Sequence, residues 1–320
     1  MTLSVIVCTY RRISALRDLL ECLPLQTYKD FEVLIVDGSG ADWVHAGELR
    51  ALAEEFQATL NLKLVYSKKG LAHQRNIGIH QASGELICFL DDDVVIGADF
   101  LWRANELLTQ RDMQSVGGIT GYDRLHFSQA INFRWKIRRM LRTVPGLTPG
   151  AIDRFGRSIP ASFAHPFSGC KQVGYLSGFC MIYRRQAIGD LRFDEELPTY
   201  AGEDRDFSFR LGQDWRLLMC GDLQLEHRFV AESRDNSVER TYQAGFGIGR
   251  GFAKSASGAV AGLELIRLAA CEFVVDMLAW ASSPSLDRLK MPFVRVRGFL
   301  TGFRSLKNRS SSVNLKESEI

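Results

Sequence analysis

Between residues 3 and 120 the chain alternates short, unbroken apolar runs with segments of helical period, and few folds accommodate that alternation. Leu3 to Cys8, Phe31 to Val36, Leu62 to Tyr66, Leu86 to Leu90 and Val116 to Thr120 are rich in Val, Ile and Leu. Runs of this kind suit strands buried on both faces, the condition of a parallel sheet covered by helices. The segments between them supply the cover. Ile13, Leu16, Leu19, Leu20 and Leu23 recur at helical spacing, as do Trp43, Leu49, Leu52 and Phe56, so each segment has one apolar stripe to bury. The expected class is α/β, Rossmann-like, with a mostly parallel central sheet.

Residues 127–174 interrupt this grammar. Arg134, Lys136, Arg138, Arg139, Arg142, Arg154 and Arg157 stand there beside the acid Asp153, and Val144 to Gly150 holds two prolines and two glycines. The segment reads as a basic insertion or acceptor-side lid, an amphipathic helix followed by a loop. The α/β pattern resumes with a strand over Tyr175 to Tyr183, a helix over Glu203 to Leu211 and short strands over Trp215 to Cys220 and Leu223 to His227. These close a first domain at 1–229. Residues 230–309 read as a helical accessory region with helices over Val238 to Ala256, Ala259 to Ala281 and Leu286 to Phe303, and 310–320 as a polar, disordered tail.

The most apolar window, Gly258 to Ala281, contains Glu264, Arg267, Glu272 and Asp276, each costing about 2.5 to 3.5 kcal/mol near a bilayer centre. It is not expected to span a membrane. From Arg288 to Arg309 there are seven cations and no acid, interleaved with Phe293, Phe299 and Phe303, which suits an anionic membrane surface. The whole-chain formal charge of +3 is too small to mark a nucleic-acid binder, and 46% hydrophobic with 24% charged residues excludes disordered and disulfide-scaffold classes. The seven cysteines are scattered through apolar runs without close pairs, so reduced thiols are expected. The first residues lack the pattern of a secretory leader, and a cytoplasmic protein, peripheral on the inner face of the membrane, is the expectation.

Chemistry concentrates at strand exits. Asp91, Asp92 and Asp93 follow an apolar strand where open α/β sheets place ligands; the cluster is either a site for Mg²⁺ or Mn²⁺ or a solvated acidic turn. Thr9, Tyr10, Arg11 and Arg12 leave the first strand with a hydroxyl, an aromatic ring and two cations. Asp37 leaves the second, followed by Gly38, Ser39 and Gly40, an arrangement that either meets a ligand or forms an ordinary turn. Arg75 sits near the start of a helix entered at Gly70. Glu203 and Asp204 open another helix, where acids also complement the helix dipole. His73, His80, His126 and His165 have no metal-ligand spacing with one another.

In this order Val-Ile-Val-Cys-Thr-Tyr-Arg-Arg, Val-Asp-Gly-Ser, Gly-Leu-Ala-His-Gln-Arg-Asn-Ile-Gly, Phe-Leu-Asp-Asp-Asp and Gly-Glu-Asp-Arg-Asp resemble the motifs of GT-A, family-2-type inverting glycosyltransferases over about Leu3 to His227. The resemblance implies a metal-dependent transfer of a sugar from a nucleotide-sugar donor (UDP-, GDP- or TDP-linked) to a hydroxyl of a saccharide or lipid-linked saccharide in cell-surface polysaccharide assembly. It implies Thr9, Tyr10 and Arg12 beside the base, Asp37 recognising it, and Arg75 supporting the nucleotide. It maps the first acid of the Asp-x-Asp pattern, near the ribose, onto Asp91 and the metal-binding acid onto Asp93, with Asp92 in the variable middle. Asp204, paired with Glu203, becomes the general base, and His227 completes the metal site. Where many relatives carry two acids before the second Gly-Ser, Val36 precedes a single Asp37, which leaves the donor nucleotide open.

Two other classes compete. A sugar nucleotidyltransferase shares the fold level, but Thr9 to Arg12 stand where its glycine-rich phosphate loop belongs. A membrane-surface scaffold with a vestigial site would accommodate the basic C-terminal segment, yet has no use for clustered carboxylates.

Overall fold

The computed structural model describes residues 1–144, 146–153, 157–229, 237–255 and 260–317. Its strands are β1 (Leu3–Thr9), β2 (Phe31–Asp37), β3 (Leu62–Tyr66), β4 (Leu86–Asp91), β5 (Val94–Ile96), β6 (Val116–Asp123), β7 (Cys170–Val173), β8 (Cys180–Arg184) and β9 (Arg216–His227). Its helices are α1 (Ile13–Cys22), α2 (Ala46–Gln57), α3 (Leu71–Gln81), α4 (Phe100–Thr109), α5 (Phe133–Met140), α6 (Arg185–Ile188), α7 (Glu203–Leu211), α8 (Ser237–Ser255), α9 (Val260–Ser282) and α10 (Leu286–Glu317).

One sheet runs β3-β2-β1-β4-β8-β6-β9-β5, with β7 added on β9. The first four strands are parallel, as their unbroken apolar sequences require, and β6 runs parallel to β9. β8 is antiparallel to both neighbours, and β5 and β7 are antiparallel to β9, so the sheet is mixed but mostly parallel. Successive strand residues face opposite layers. Val5 and Val7 join Leu16, Leu19, Leu52 and Leu101 on one side, whereas Ile6, Leu34 and Val36 join Ala72, Ile79 and Phe207 on the other.

Several boundaries differ from the sequence expectation, each for a local reason. Tyr175 to Phe179 is loop rather than strand, because its polar groups bond elsewhere: Tyr175 Oη donates to Ile159 O, Leu176 N donates to Ser208 Oγ, and Gly178 N to Asp204 Oδ2. The two short strands after Trp215 are one strand, β9, bearing a register shift opposite Thr120 and Tyr122. The expectation of reduced thiols fails at Cys170 and Cys220, which form a disulfide. They lie directly opposite each other on β7 and β9, a juxtaposition created by strand pairing across 50 residues and invisible to local spacing. α10 continues to Glu317, past the Ser310 where disorder is expected, since each residue added to a formed helix contributes a further hydrogen bond; residues 318–320 lie outside the described residues.

The C-terminal helices grip the α/β domain through charge and close backbone contact. Burial works to raise the Asp194 carboxyl, yet hydrogen bonds from Arg250 and Lys254 hold it down at about 2. Arg250 also reaches Glu196 at 2.5 Å, and Lys254 reaches Asp206. Arg138 of α5 makes two 2.7 Å hydrogen bonds to Glu272 of α9, and Arg295 of α10 pairs with Asp276. Where α8 crosses α10, a Cβ on Gly249 would lie 1.9 Å from Phe299 O, and one on Gly302 would lie 2.0 Å from Phe246 O. Only glycine permits that approach. The expected outcome for Gly249→Ala is a loss of about 1 to 3 kcal/mol from overpacking, measured by chemical denaturation of the whole chain.

Candidate active site

The chain order reverses at β1, whose neighbours are β2 on one side and β4 on the other, and Cys8 pairs in register with Asp91. Strand carboxyl ends separate at such a switch point and leave a crevice. A cleft of about 440 Å³ opens there. Thr9, Tyr10 and Arg12 line it from the exit of β1, Asp91 to Asp93 from the exit of β4, Arg75 from α3, Glu203 and Asp204 from α7, and His227 from the end of β9. Asp37 is fully buried at the end of β2 and is not among the lining residues. Its Oδ1 accepts from Ser39 N and Oγ, while Oδ2 is buried without a hydrogen-bond partner among the described residues. Burial pushes the Asp37 carboxyl up, against those Ser39 bonds.

The three consecutive acids have different environments. Asp92 accepts from Thr9 Oγ1 at 2.7 Å and from Arg12 Nη1 at 2.5 Å. Burial nevertheless pushes its carboxyl up to about 7, with Arg12 and the Thr9 bond pulling down and the charges of Asp93 and Asp91 pushing up. Asp93 accepts from Arg12 Nη2 at 2.5 Å, and His227 Nε2 lies 3.0 Å from its Oδ1. Burial opposes ionisation there too, but the His227 hydrogen bond and the charges of His227 and Arg12 hold Asp93 well below the usual carboxylate range. Arg12, expected beside a base, is a fork across Asp92 and Asp93. Tyr10 stands at the rim, with Arg11 5.1 Å and Lys69 4.6 Å from its ring centroid.

The His227 ring packs beside Phe179 and Phe229, at 5.2 and 4.0 Å between centroids. Burial lowers its pKa and the bond to Asp93 raises it, with a net rise. Its Nδ1 is buried without a hydrogen-bond partner among the described residues. One ligand atom each from Asp91, Asp93 and His227 lie within 4.8 Å of one another. Two carboxylates and an imidazole gathered at one point fit a divalent cation.

A second constellation faces this one. Arg75 is only 2% exposed; it donates Nη1 to Glu203 Oε1 at 2.8 Å and Nη2 to Gly178 O at 3.1 Å, and Nη2 lies 3.6 Å from Asp91 Oδ1. Its guanidinium thus spans from the metal-ligand cluster to the start of α7. Burial pushes Glu203 up to about 7, resisted by Arg75 and reinforced by the charge of Asp204. Asp204 is held by backbone amides: Oδ2 accepts from Gly178 N at 3.0 Å and Oδ1 from Arg205 N at 2.8 Å. Gly202 precedes α7 at φ 87°, a left-handed turn that aims both acids into the cleft.

Three contributors have roles that the motif reading does not assign. Gln74 donates its amide to Thr9 O at 2.9 Å and Val36 O at 2.8 Å, tying the exits of β1 and β2 together. Asp92 is an anchor for Thr9 and Arg12 rather than a variable spacer. Gly178 serves both Arg75 and Asp204. A polar Gln beside Arg75 at the entrance of a helix is a visible signal for the first; only tertiary pairing reveals the others.

The family model described as glycosyl transferase family 2 matches residues 4–192. The amylovoran biosynthesis glycosyltransferase AmsB of Erwinia amylovora is 27% identical over 210 residues, 66% of this chain and 64% of AmsB. Chondroitin synthase of Escherichia coli is 24% identical over 255 residues, 74% of this chain and 36% of that protein. The chain therefore spans less than two thirds of the length of either relative. Among solved structures, the mannosyltransferase PcManGT from Pyrobaculum calidifontis, in complex with GDP-Man and Mn²⁺, is similar at TM-score 0.57 and 16% identity over 94% of this chain and 86% of that one. S. aureus TarS 1–349 in complex with UDP-GlcNAc is similar at 0.54 and 18% over 96% and 92%. At these identities the likeness is one of fold, and the fold is of the GT-A type that the motifs imply.

Glu203 titrates from an ordinary value of 4.5 to about 7 on folding. The raised value means that its contribution is fully present below pH 4.5 and is lost as pH rises through about 7. Wild-type stability relative to Glu203→Gln is expected to fall by about 3 kcal/mol over that window, read from paired denaturation curves in chelator.

Proposed function

Because the chain belongs to glycosyl transferase family 2, we propose that it transfers a sugar from a nucleoside-diphosphate donor to a hydroxyl of a saccharide or lipid-linked saccharide in polysaccharide assembly, with inversion and with a divalent cation. The observation that carries this reading is the convergence of Asp91, Asp93 and His227 with Glu203 and Asp204 on one cleft, bridged by Arg75. The donors GDP-Man and UDP-GlcNAc, named with the two similar structures, support a nucleotide sugar as the ligand class.

Asp91, Asp93 and His227 would hold a divalent cation, whose positive charge would stabilise the departing diphosphate. The remaining work falls to the chain's own groups. Asp204, fixed by two backbone amides, takes the proton of the acceptor hydroxyl as that oxygen bonds to the anomeric carbon. The bond from the anomeric carbon to the diphosphate oxygen breaks in the same displacement, and the nucleoside diphosphate leaves with the electron pair. Arg75 fixes the distance between the two ends of this path and neutralises Glu203 beside the base. Tyr10, at the rim of the cleft, offers its ring to the base, whereas Asp37 is buried off the cleft and holds the turn at Ser39.

A thermal-shift panel of UDP-, GDP- and TDP-sugars with and without Mn²⁺ tests the donor site. One nucleotide is expected to raise the midpoint only with metal, and Asp93→Ala to lose that shift. Asp204→Asn is expected to keep the shift while transfer falls about 10² to 10⁴-fold, seen as a loss of kcat with donor binding retained. Absence of a metal-dependent shift for every donor would overturn the assignment.

A further inference from the structure

α9 is apolar on two sides, and among the described residues only one of them is buried. Leu268, Cys271, Val275 and Ala279 are buried against the rest of the protein. On the other side, successive rotations of about 100° bring Leu263, Ile266, Ala270, Val274 and Leu278 into one stripe about 22 Å long. Leu263 is 73% exposed, Ile266 66%, Val274 42% and Leu278 44%. The one ion within the stripe, Arg267, is turned onto Glu264 at 2.7 Å.

This stripe continues onto α10. Phe273 at its edge meets Phe293 edge-to-face at 5.3 Å, and Phe293 is itself 61% exposed. Along the same outward face of α10 stand Lys290, Arg297 and Arg304, all exposed. Among the described cations of α10, these three differ from Arg295. Arg295 faces inward and pairs with Asp276, while the three border the apolar stripe. Among the described residues no helix is long and apolar enough to cross a membrane.

We propose that the α9–α10 face lies on an anionic phospholipid surface, with Leu263, Ile266, Val274 and Phe293 entering the boundary between headgroups and acyl chains and the α10 cations meeting the phosphates. Apolar side chains bordered by cations are what such a boundary binds, and exposed stripes of this length are otherwise a liability in water. Charge complementarity favours the anionic surface over a second copy of the chain, whose matching face carries the same cations, Lys290, Arg297 and Arg304. The proposal does not depend on the catalytic reading, since binding to lipid is measured without turnover.

The test is co-sedimentation of the full chain with phosphatidylglycerol–phosphatidylcholine vesicles and with phosphatidylcholine vesicles alone. Binding is expected only with the anionic lipid, weaker at high salt, and reduced about tenfold or more in the double variant Leu263→Gln with Ile266→Gln. Both side chains face solvent, so an unchanged circular dichroism spectrum is expected for that variant. Hydrogen exchange on the unsubstituted protein provides a second readout, with slowing expected over residues 262–281 on anionic vesicles. Failure to bind anionic vesicles at low salt, or unaltered exchange in that segment, would overturn the proposal. So would equal binding by the double variant. A dimer in solution that the double variant converts to monomer would assign the face to a second copy instead.

Discussion

A buried guanidinium must find counter-charges and acceptors within reach of its own fork, and Arg75 finds two carboxylates and a carbonyl on three separate pieces of chain. Asp91 closes β4, Glu203 opens α7, and Gly178 belongs to the loop before β8. Removing one partner from a buried pair of this kind typically costs about 3 to 5 kcal/mol, so the three pieces are held in one arrangement. The carboxylates also need the cation. Glu203 lies in surroundings that push its proton affinity up, and the nearby Asp204 adds to the push. The spacing between a cluster suited to a metal and an acid suited to a base is thus set by one planar side chain. Arg12 plays the corresponding part at the exit of β1, across Asp92 and Asp93.

The parallel half of the sheet was legible because strands buried on both faces advertise themselves as unbroken apolar runs; β3 matches its sequence limits, and β1, β2 and β4 extend by one residue. α7 was legible to the residue because Gly202 and three acids mark its start. β5 and β7 were not, being three and four residues long and stabilised by pairing with β9 rather than by any pattern of their own. The candidate site divides in the same way. Residue types at strand exits could be read, since the motifs occur in one order along the chain. Partners could not. Arg75 and Glu203 are 128 positions apart, and the guanidinium of Arg12 turns toward acids 80 and 81 positions away.

Charge counting over the basic segments conveyed less than their geometry. Arg138, Arg157 and Arg295 look from sequence like a common surface field, but each is paired with a carboxylate of the protein itself. Arg138 and Arg295 fasten the inserted helix α5 and the long helix α10 to α9, and Arg157 closes a local pair with Asp153. The glycines of α8 and α10 were equally visible and carried a plainer message. Glycine is unfavourable within a helix, so Gly249 and Gly302 mark a place where another backbone comes close.

That crossing has a consequence for where the working unit ends. The stretch by which the family is recognised stops at residue 192, before α7 and the end of β9. A chain cut there would keep the Asp triplet and lose Glu203, Asp204 and His227, leaving Arg75 buried with its main counter-charge gone. A cut after β9 would keep all of them but lose the helix pair that clasps the 194–206 segment through Arg250 and Lys254. A piece that keeps the clasp on residues 194–206 therefore has to include α8 and the helix α10 that crosses it.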